Sequence, residues 1–286
     1  MEPQAEVGCR VVVTGLTTQT QYNGLIGTVI SWDGAKGRAC VKLDSGEGEE
    51  GLLLKPTNLL AAGAEPTAPP RKPFILFLHG LGDTGDGWAH LPRALRGHAT
   101  HIRYSFPDAP VQPVSCNGGY RMTSWMDLQA IPVELGSADD VAGLEASRTT
   151  IHSLIDDEIA NGTPSTDIVL GGFSQGGAMA LFAGFTYHKP LAGIVCLSGW
   201  PAVMDNLVQR VKSGANAHTP AFVAHGKHDE VVLPSCGSKA SELLKHAGVP
   251  TLFVTYPMGH SSCPSEMEDL NDWLLSLLGE RCALMK

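Results

Sequence analysis

The chain has 286 residues, 43% of them hydrophobic, and a formal net charge of −9 at pH 7. That length holds one large domain or a medium one with a small module, and the composition excludes wholesale disorder. The acidic balance and the lack of a Lys/Arg-rich run exclude a nucleic-acid binder, and no apolar stretch approaches the ~18 residues of a membrane span.

The opening Met1-Glu2-Pro3-Gln4-Ala5-Glu6 has neither the charged nor the apolar region of a secretory signal. Seven cysteines (Cys9, Cys40, Cys116, Cys196, Cys236, Cys263, Cys282) follow no CxxC spacing and are odd in number. Together these features predict free thiols in the cytoplasm, with at most peripheral membrane contact.

Residues 1–62 carry short β-rich runs: Arg10–Val13, Leu25–Trp32, Arg38–Leu43 and Gly51–Lys55, with turns at Asp33-Gly34 and Asp44-Ser45-Gly46. Strands this short with such tight turns predict a small β-barrel, and Tyr22-Asn23-Gly24 through Lys55-Pro56-Thr57-Asn58-Leu59 resembles SH3-like modules. Tyr22 and Trp32 are candidates for a ligand platform, with core packing the favoured reading. Residues 63–71 are rich in proline and alanine and read as an extended linker.

From 72 to 286 strands and helices alternate. Phe74-Ile75-Leu76-Phe77-Leu78 is a continuous apolar run suited to a strand buried on both faces. Further strands are expected at 101–106, 168–170, 192–197, 221–224 and 252–256. Helices are expected over 141–161 and 176–187, and a last one opening at Ser265 with Glu268 at capping-box spacing and ending before Gly279. This order predicts an α/β fold with a mostly parallel sheet covered by helices on both faces, and ligands at the carboxyl ends of the strands.

Gly172-Phe173-Ser174-Gln175-Gly176 matches G-x-S-x-G directly after a strand and before a helix. A serine on so sharp a turn projects its hydroxyl from the sheet, while side chains at 172 and 176 would collide with their neighbours. The Gln175 N–H at the helix start can face a developing oxyanion. Serine needs a base and an orienting carboxylate. Asp229, in Gly226-Lys227-His228-Asp229-Glu230, and His260, in Met258-Gly259-His260-Ser261, follow two later strands in the required order. Glu230 and His228 are the nearest rivals. His225 and His228 also form a candidate metal pair, but without third and fourth ligands no metal and no cofactor is expected. The glycine-rich loop His79-Gly80-Leu81-Gly82-Asp83 after the first strand can supply a second oxyanion donor, the Leu81 N–H. It lacks the lysine and spacing of a phosphate-binding loop.

These motifs, with Gly87-Trp88, Pro107-Asp108-Ala109-Pro110 and Ser124-Trp125-Met126-Asp127, resemble the acyl-protein thioesterase and lysophospholipase-like carboxylesterases, an α/β-hydrolase family. The resemblance spans residues 72 to 280. It implies catalysis by Ser174, Asp229 and His260, oxyanion donors at Leu81 and Gln175, and a substrate-binding wall at Trp125, Met126 and Arg121. It also implies an acylated protein or lipid ester as substrate. The segment after Val114 reads Ser115-Cys116-Asn117-Gly118-Gly119-Tyr120-Arg121-Met122 where the family has a methionine-rich acyl channel. Its glycines and Arg121 predict a less apolar wall. Protein depalmitoylation leads, followed by lysophospholipid or short-chain ester hydrolysis. A non-catalytic binding protein on the same fold is the reading from another class. The N-terminal module is expected to dock a protein partner.

Overall fold

The computed structural model describes residues 7–46, 51–61, 72–95 and 102–283. The chain divides into two compact units, residues 1–70 and 71–286. The expected linker over 63–71 lies outside the described residues. No helix among the described residues is long and apolar enough to cross a membrane.

The first unit is a five-stranded antiparallel sheet in the order β4-β3-β2-β1-β5, formed by β1 (Arg10–Val13), β2 (Ile26–Asp33), β3 (Arg38–Leu43), β4 (Leu52–Leu54) and β5 (Leu59–Ala61). A register shift between Val29 and Ser31 interrupts the β2–β3 pairing and leaves Ile30 exposed. Val11, Val13, Val29, Val41, Leu43 and Leu54 are the buried core, and Tyr22 and Trp32 pack half-buried against it. The sequence reading missed β5, which is three residues long and follows a 3₁₀ turn at Pro56–Asn58.

The second unit holds a six-stranded sheet in the order β13-β12-β11-β10-β6-β7, and every pairing is parallel. Its strands are β6 (Phe74–Leu78), β7 (Arg103–Ser105), β10 (Ile168–Phe173), β11 (Gly193–Leu197), β12 (Ala221–Gly226) and β13 (Thr251–Tyr256), with a hairpin of β8 (Val111–Val114) and β9 (Tyr120–Thr123) set apart. β6 explains the layering. Phe74, Leu76 and Leu78 enter one core, shared with α3 (Val141–Ala160), α4 (Gln175–Phe185), α5 (Met204–Ser213) and α6 (Pro234–Ala247). Ile75 and Phe77 enter the other, shared with α1 (Gly85–Trp88), α2 (Leu91–Ala94) and α7 (Pro264–Ala283). A strand that feeds two cores has no room for alternating polar residues, hence its unbroken apolar run.

Two expectations change. α7 begins at Pro264, with the Met267 N–H donating to the Cys263 carbonyl, so Cys263 and Glu266 occupy the spacing assigned to Ser265 and Glu268. It also runs through Gly279, because the apolar residues Leu270, Leu274 and Leu278 keep one face buried to the end. α6 is a helix beyond those expected from the sequence, and it carries the usual end signals: proline at its first position and Gly248, at φ +91°, just past its end.

Candidate active site

β10 lies between β6 and β11, so its carboxyl end opens at the middle of the sheet. There Ser174 adopts φ 55°, ψ −120° and ends the strand, and α4 starts at the next residue. The strain is enforced by packing. A Cβ at Gly172 would stand 2.2 Å from the Gly176 carbonyl oxygen, and one at Gly176 would stand 2.2 Å from that of Leu78. Only glycine at both positions lets helix and strand close to this distance. The Ser174 N–H donates to the Leu197 carbonyl at 2.8 Å, which fixes the turn against β11.

β12 and β13 end side by side, Gly226 opposite Tyr256. The loops that follow them interlock, since a Cβ at Gly226 would lie 2.3 Å from the Gly259 carbonyl oxygen. Asp229 and His260 emerge from these loops. Ser174 Oγ donates to His260 Nε2 at 2.9 Å, and His260 Nδ1 donates to Asp229 Oδ2 at 2.7 Å. Asp229 Oδ1 accepts the Val231 and Val232 N–H groups, each at 2.9 Å. Burial alone would push this carboxyl upward. Hydrogen bonds from His225, His260 and the Val232 N–H outweigh it and hold Asp229 well below the usual carboxylate range. The rivals Glu230 and His228 are exposed.

The loop after β6 is anchored from beneath. His79 is fully buried, and its Nε2 accepts the Ala109 N–H at 3.0 Å. Its Nδ1 therefore carries the hydrogen and donates to the Gly80 carbonyl at 2.7 Å. Gly80 passes close to the serine, a Cβ there being 3.3 Å from Ser174 Cβ. Leu81, next in the chain, lines the same cavity as Ser174. Gln175 is the first residue of α4, so its N–H belongs to the free amides at the positive end of the helix.

A cavity of about 290 Å³ opens beside Ser174 and His260. Its wall is mainly apolar, with Met122, Leu128, Val133, Trp200, Val231 and Val232 among the lining residues. Among the described residues no group of His, Cys, Asp and Glu is arranged to hold a metal.

The match to known proteins decides the family. The model of the phospholipase/carboxylesterase family covers residues 62–278. The chain belongs to the phospholipase/carboxylesterase family. It is 40% identical to acyl-protein thioesterase 1 of Neurospora crassa over 79% of this chain and 94% of that one. A probable carboxylesterase of Oryza sativa is 35% identical over 77% and 82% of the two chains. Among solved structures it is similar to Arabidopsis thaliana SOBER1, with a TM-score of 0.69 and 35% identity over 72% of this chain and 99% of that one. It is also similar to Zea mays acyl-protein thioesterase 2, with a TM-score of 0.65 and 32% identity over 76% and 97%.

Within this family frame the structure separates the expected wall residues. Trp125 and Met126 are 1% and 2% exposed and sit beneath the site, not on the cavity wall. Trp125 is riveted there: its Nε1–H donates to the His79 carbonyl at 2.9 Å and its N–H to Gln175 Oε1 at 2.8 Å. Arg121 is exposed, and its Nη2 donates to the Val111 carbonyl at 2.8 Å. The β9 alternation turns Arg121 away while Met122 faces the cavity, so the arginine does not make the wall polar. The reading from sequence missed Trp200, Val231 and Val232. The last two directly follow the Asp229-Glu230 pair, and Trp200 lies just past the carboxyl end of β11, where ligand-contacting residues are expected.

Proposed function

We propose that the protein hydrolyses acyl thioesters and carboxylic esters through an acyl-enzyme on Ser174. The observation that carries this reading is the unbroken hydrogen-bonded line from Ser174 Oγ through His260 to Asp229, with steps of 2.9 and 2.7 Å. His260 Nε2 takes the hydroxyl proton as Ser174 Oγ bonds to the acyl carbon, and the carbonyl oxygen gains the negative charge. The Leu81 and Gln175 N–H groups receive that charge. Asp229 holds the imidazole tautomer and faces the imidazolium as an anion. The carbon–sulfur or carbon–oxygen bond then breaks, and the leaving thiol or alcohol takes the proton from His260. Water, deprotonated by the same nitrogen, attacks the acyl-enzyme and releases the acid.

S-acylated protein is the favoured substrate, because relatives sharing 36–40% identity over most of their length bear the name acyl-protein thioesterase. The apolar cavity beside Ser174 suits an acyl chain. A lysophospholipid or short-chain ester is the second reading, and the cavity's modest volume of about 290 Å³ favours the short-chain ester. The complete catalytic set argues against a non-catalytic binding protein. The N-terminal unit acts as an adaptor for a protein partner, and the thiol-rich sequence fits work in the reducing cytosol. A fluorophosphonate probe tests the chemistry. Labelling of the native protein should vanish in Ser174→Ala, with turnover down by about 10⁴ or more. A folded Ser174→Ala protein with unchanged esterase activity would overturn the reading.

A further inference from the structure

Asp229 faces two histidines, and the mechanism uses only one of them. His225, the penultimate residue of β12, is fully buried. Its Nε2 lies 2.9 Å from the Val232 carbonyl oxygen and 3.4 Å from Asp229 Oδ2. That carboxylate oxygen is the one His260 Nδ1 meets at 2.7 Å. A carbonyl oxygen only accepts, so Nε2 bears the hydrogen and Nδ1 is the bare nitrogen. Nδ1 has no hydrogen-bond partner among the described residues. It faces Gly237 of α6, where a Cβ would stand 2.4 Å away.

A bare buried nitrogen costs free energy that a leucine or phenylalanine in the same space would not incur. What the imidazole adds over an apolar side chain is its Nε2–H, directed at the turn from Asp229 to Val232. That turn closes on itself, because the Val232 N–H donates to Asp229 Oδ1 while the Val232 carbonyl takes the His225 hydrogen. We infer that His225 is a positioning residue for the catalytic acid, holding the Asp229–Val232 turn in register and sharing Asp229 Oδ2 with His260. The inference rests on the triad reading proposed above. With the His225 hydrogen in place, Oδ2 draws less strongly on the His260 ring.

The titratable groups facing this cluster are Asp229 in the same loop, His260 from the loop after β13, and Cys236 from α6. Burial pushes the Cys236 thiol up to about 11, with Asp229 and Glu134 acting in the same sense, so it stays neutral where serine hydrolases work.

The test measures kcat and KM against pH on a soluble aryl ester for the native protein, His225→Leu, His225→Gln and Gly237→Ala. In His225→Leu, kcat should fall about tenfold to a hundredfold, the range seen when an orienting partner is lost, with KM little changed. The acid limb of its pH–rate profile should move to higher pH by about half a unit, because Oδ2 then draws on His260 alone. His225→Gln, which returns an amide donor, should recover most of the rate and the native limb. Gly237→Ala, which displaces the ring without removing it, should shift the limb in the same direction as His225→Leu. A folded His225→Leu protein with an unshifted limb would overturn the inference, whatever its rate, as would a glutamine variant no better than leucine. If His225→Leu does not fold, an unshifted limb in Gly237→Ala overturns it. Failure of the native protein to label at Ser174 would instead bring down the hydrolase reading, so the two failures are distinguishable.

Discussion

Gln175 Oε1 accepts the Trp125 N–H at 2.8 Å, and through it the residue after the nucleophile grips the segment beneath the opposite loop. Gln175 Nε2 adds bonds to Ser124 Oγ at 3.0 Å and the Met126 carbonyl at 2.8 Å. Trp125 passes the link on to the His79 carbonyl, two residues before Leu81. The two N–H groups assigned to the oxyanion thus stand on elements tied by one buried polar circuit. Every member of it is satisfied, the condition under which such a network rigidifies its surroundings.

Trp125→Phe keeps a buried aromatic ring but removes the Nε1–H together with the pyrrole half of the indole. The Leu81 loop then loses its bond from below, and a small displacement of a donor is felt mainly in the transition state. We expect kcat to fall about tenfold to a hundredfold, with KM changed less than about twofold. Steady-state kinetics on a soluble ester checks this. A loss confined to KM would assign Trp125 to substrate contact instead.

The two faces of β9 predict opposite outcomes for neighbouring residues. Burying a methylene is worth about 0.8 kcal/mol, so kcat/KM should rise about fourfold per added acyl carbon until the cavity is filled. Met122→Glu sets a charge in that wall and should flatten the series, leaving acetyl-ester hydrolysis nearly intact. Arg121→Ala removes an exposed side chain and should leave the whole series within about twofold of native.

Glu266 governs a pH dependence of stability. It is fully buried, and neither carboxylate oxygen has a hydrogen-bond partner among the described residues. Burial pushes it up to about 8. Between the ordinary carboxyl value and about 8 the folded protein holds a proton that the unfolded chain has released. Stability therefore falls as pH rises through that window and levels off above it. Glu266→Gln should flatten the dependence and add on the order of 2 kcal/mol at pH 8, read as a higher Tm. An unchanged slope of Tm against pH would refute this.

Deleting residues 1–62 should leave hydrolysis of small soluble esters within about twofold of native, since every group in the proposed chemistry lies beyond residue 78. Recovery of a protein partner should be lost. Loss of catalysis would contradict the adaptor role.

The sequence carried the site better than it carried the surroundings. Ser174, Asp229 and His260 each sit just past the end of an apolar run, and chain order alone paired them, because the parallel sheet brings consecutive strand ends to one edge. The small residues at 172 and 176 announced the close approach of helix and strand. What was not legible depends on which way a side chain turns. Motif adjacency made Trp125 and Arg121 look like wall residues. Their contacts, to His79 and Val111, come from segments distant in sequence or from the strand alternation of an unforeseen hairpin. The β8–β9 hairpin carries Pro113 in its first strand and Gly118 and Gly119 in its turn, signals that read as loop rather than strand. His225 stands three residues from His228 in sequence, a spacing that suggests a metal pair and carries no sign that the ring is buried against Asp229.

The Asp229–Val232 turn serves two masters. Its backbone N–H groups clasp the acid, and the side chains of Val231 and Val232 form part of the cavity wall. Val133 clamps the same turn as a β-bridge partner, its N–H donating to the Val231 carbonyl at 2.8 Å and its carbonyl accepting the Leu233 N–H at 3.0 Å. An acyl chain bound in the cavity would press on the strap that holds the Asp229 carboxylate. Occupancy of the cavity and readiness of the acid become mechanically linked, so a well-fitting tail should quicken the saturated rate and not only tighten binding. A short ester, leaving that strap unloaded, would be turned over by a slacker machine.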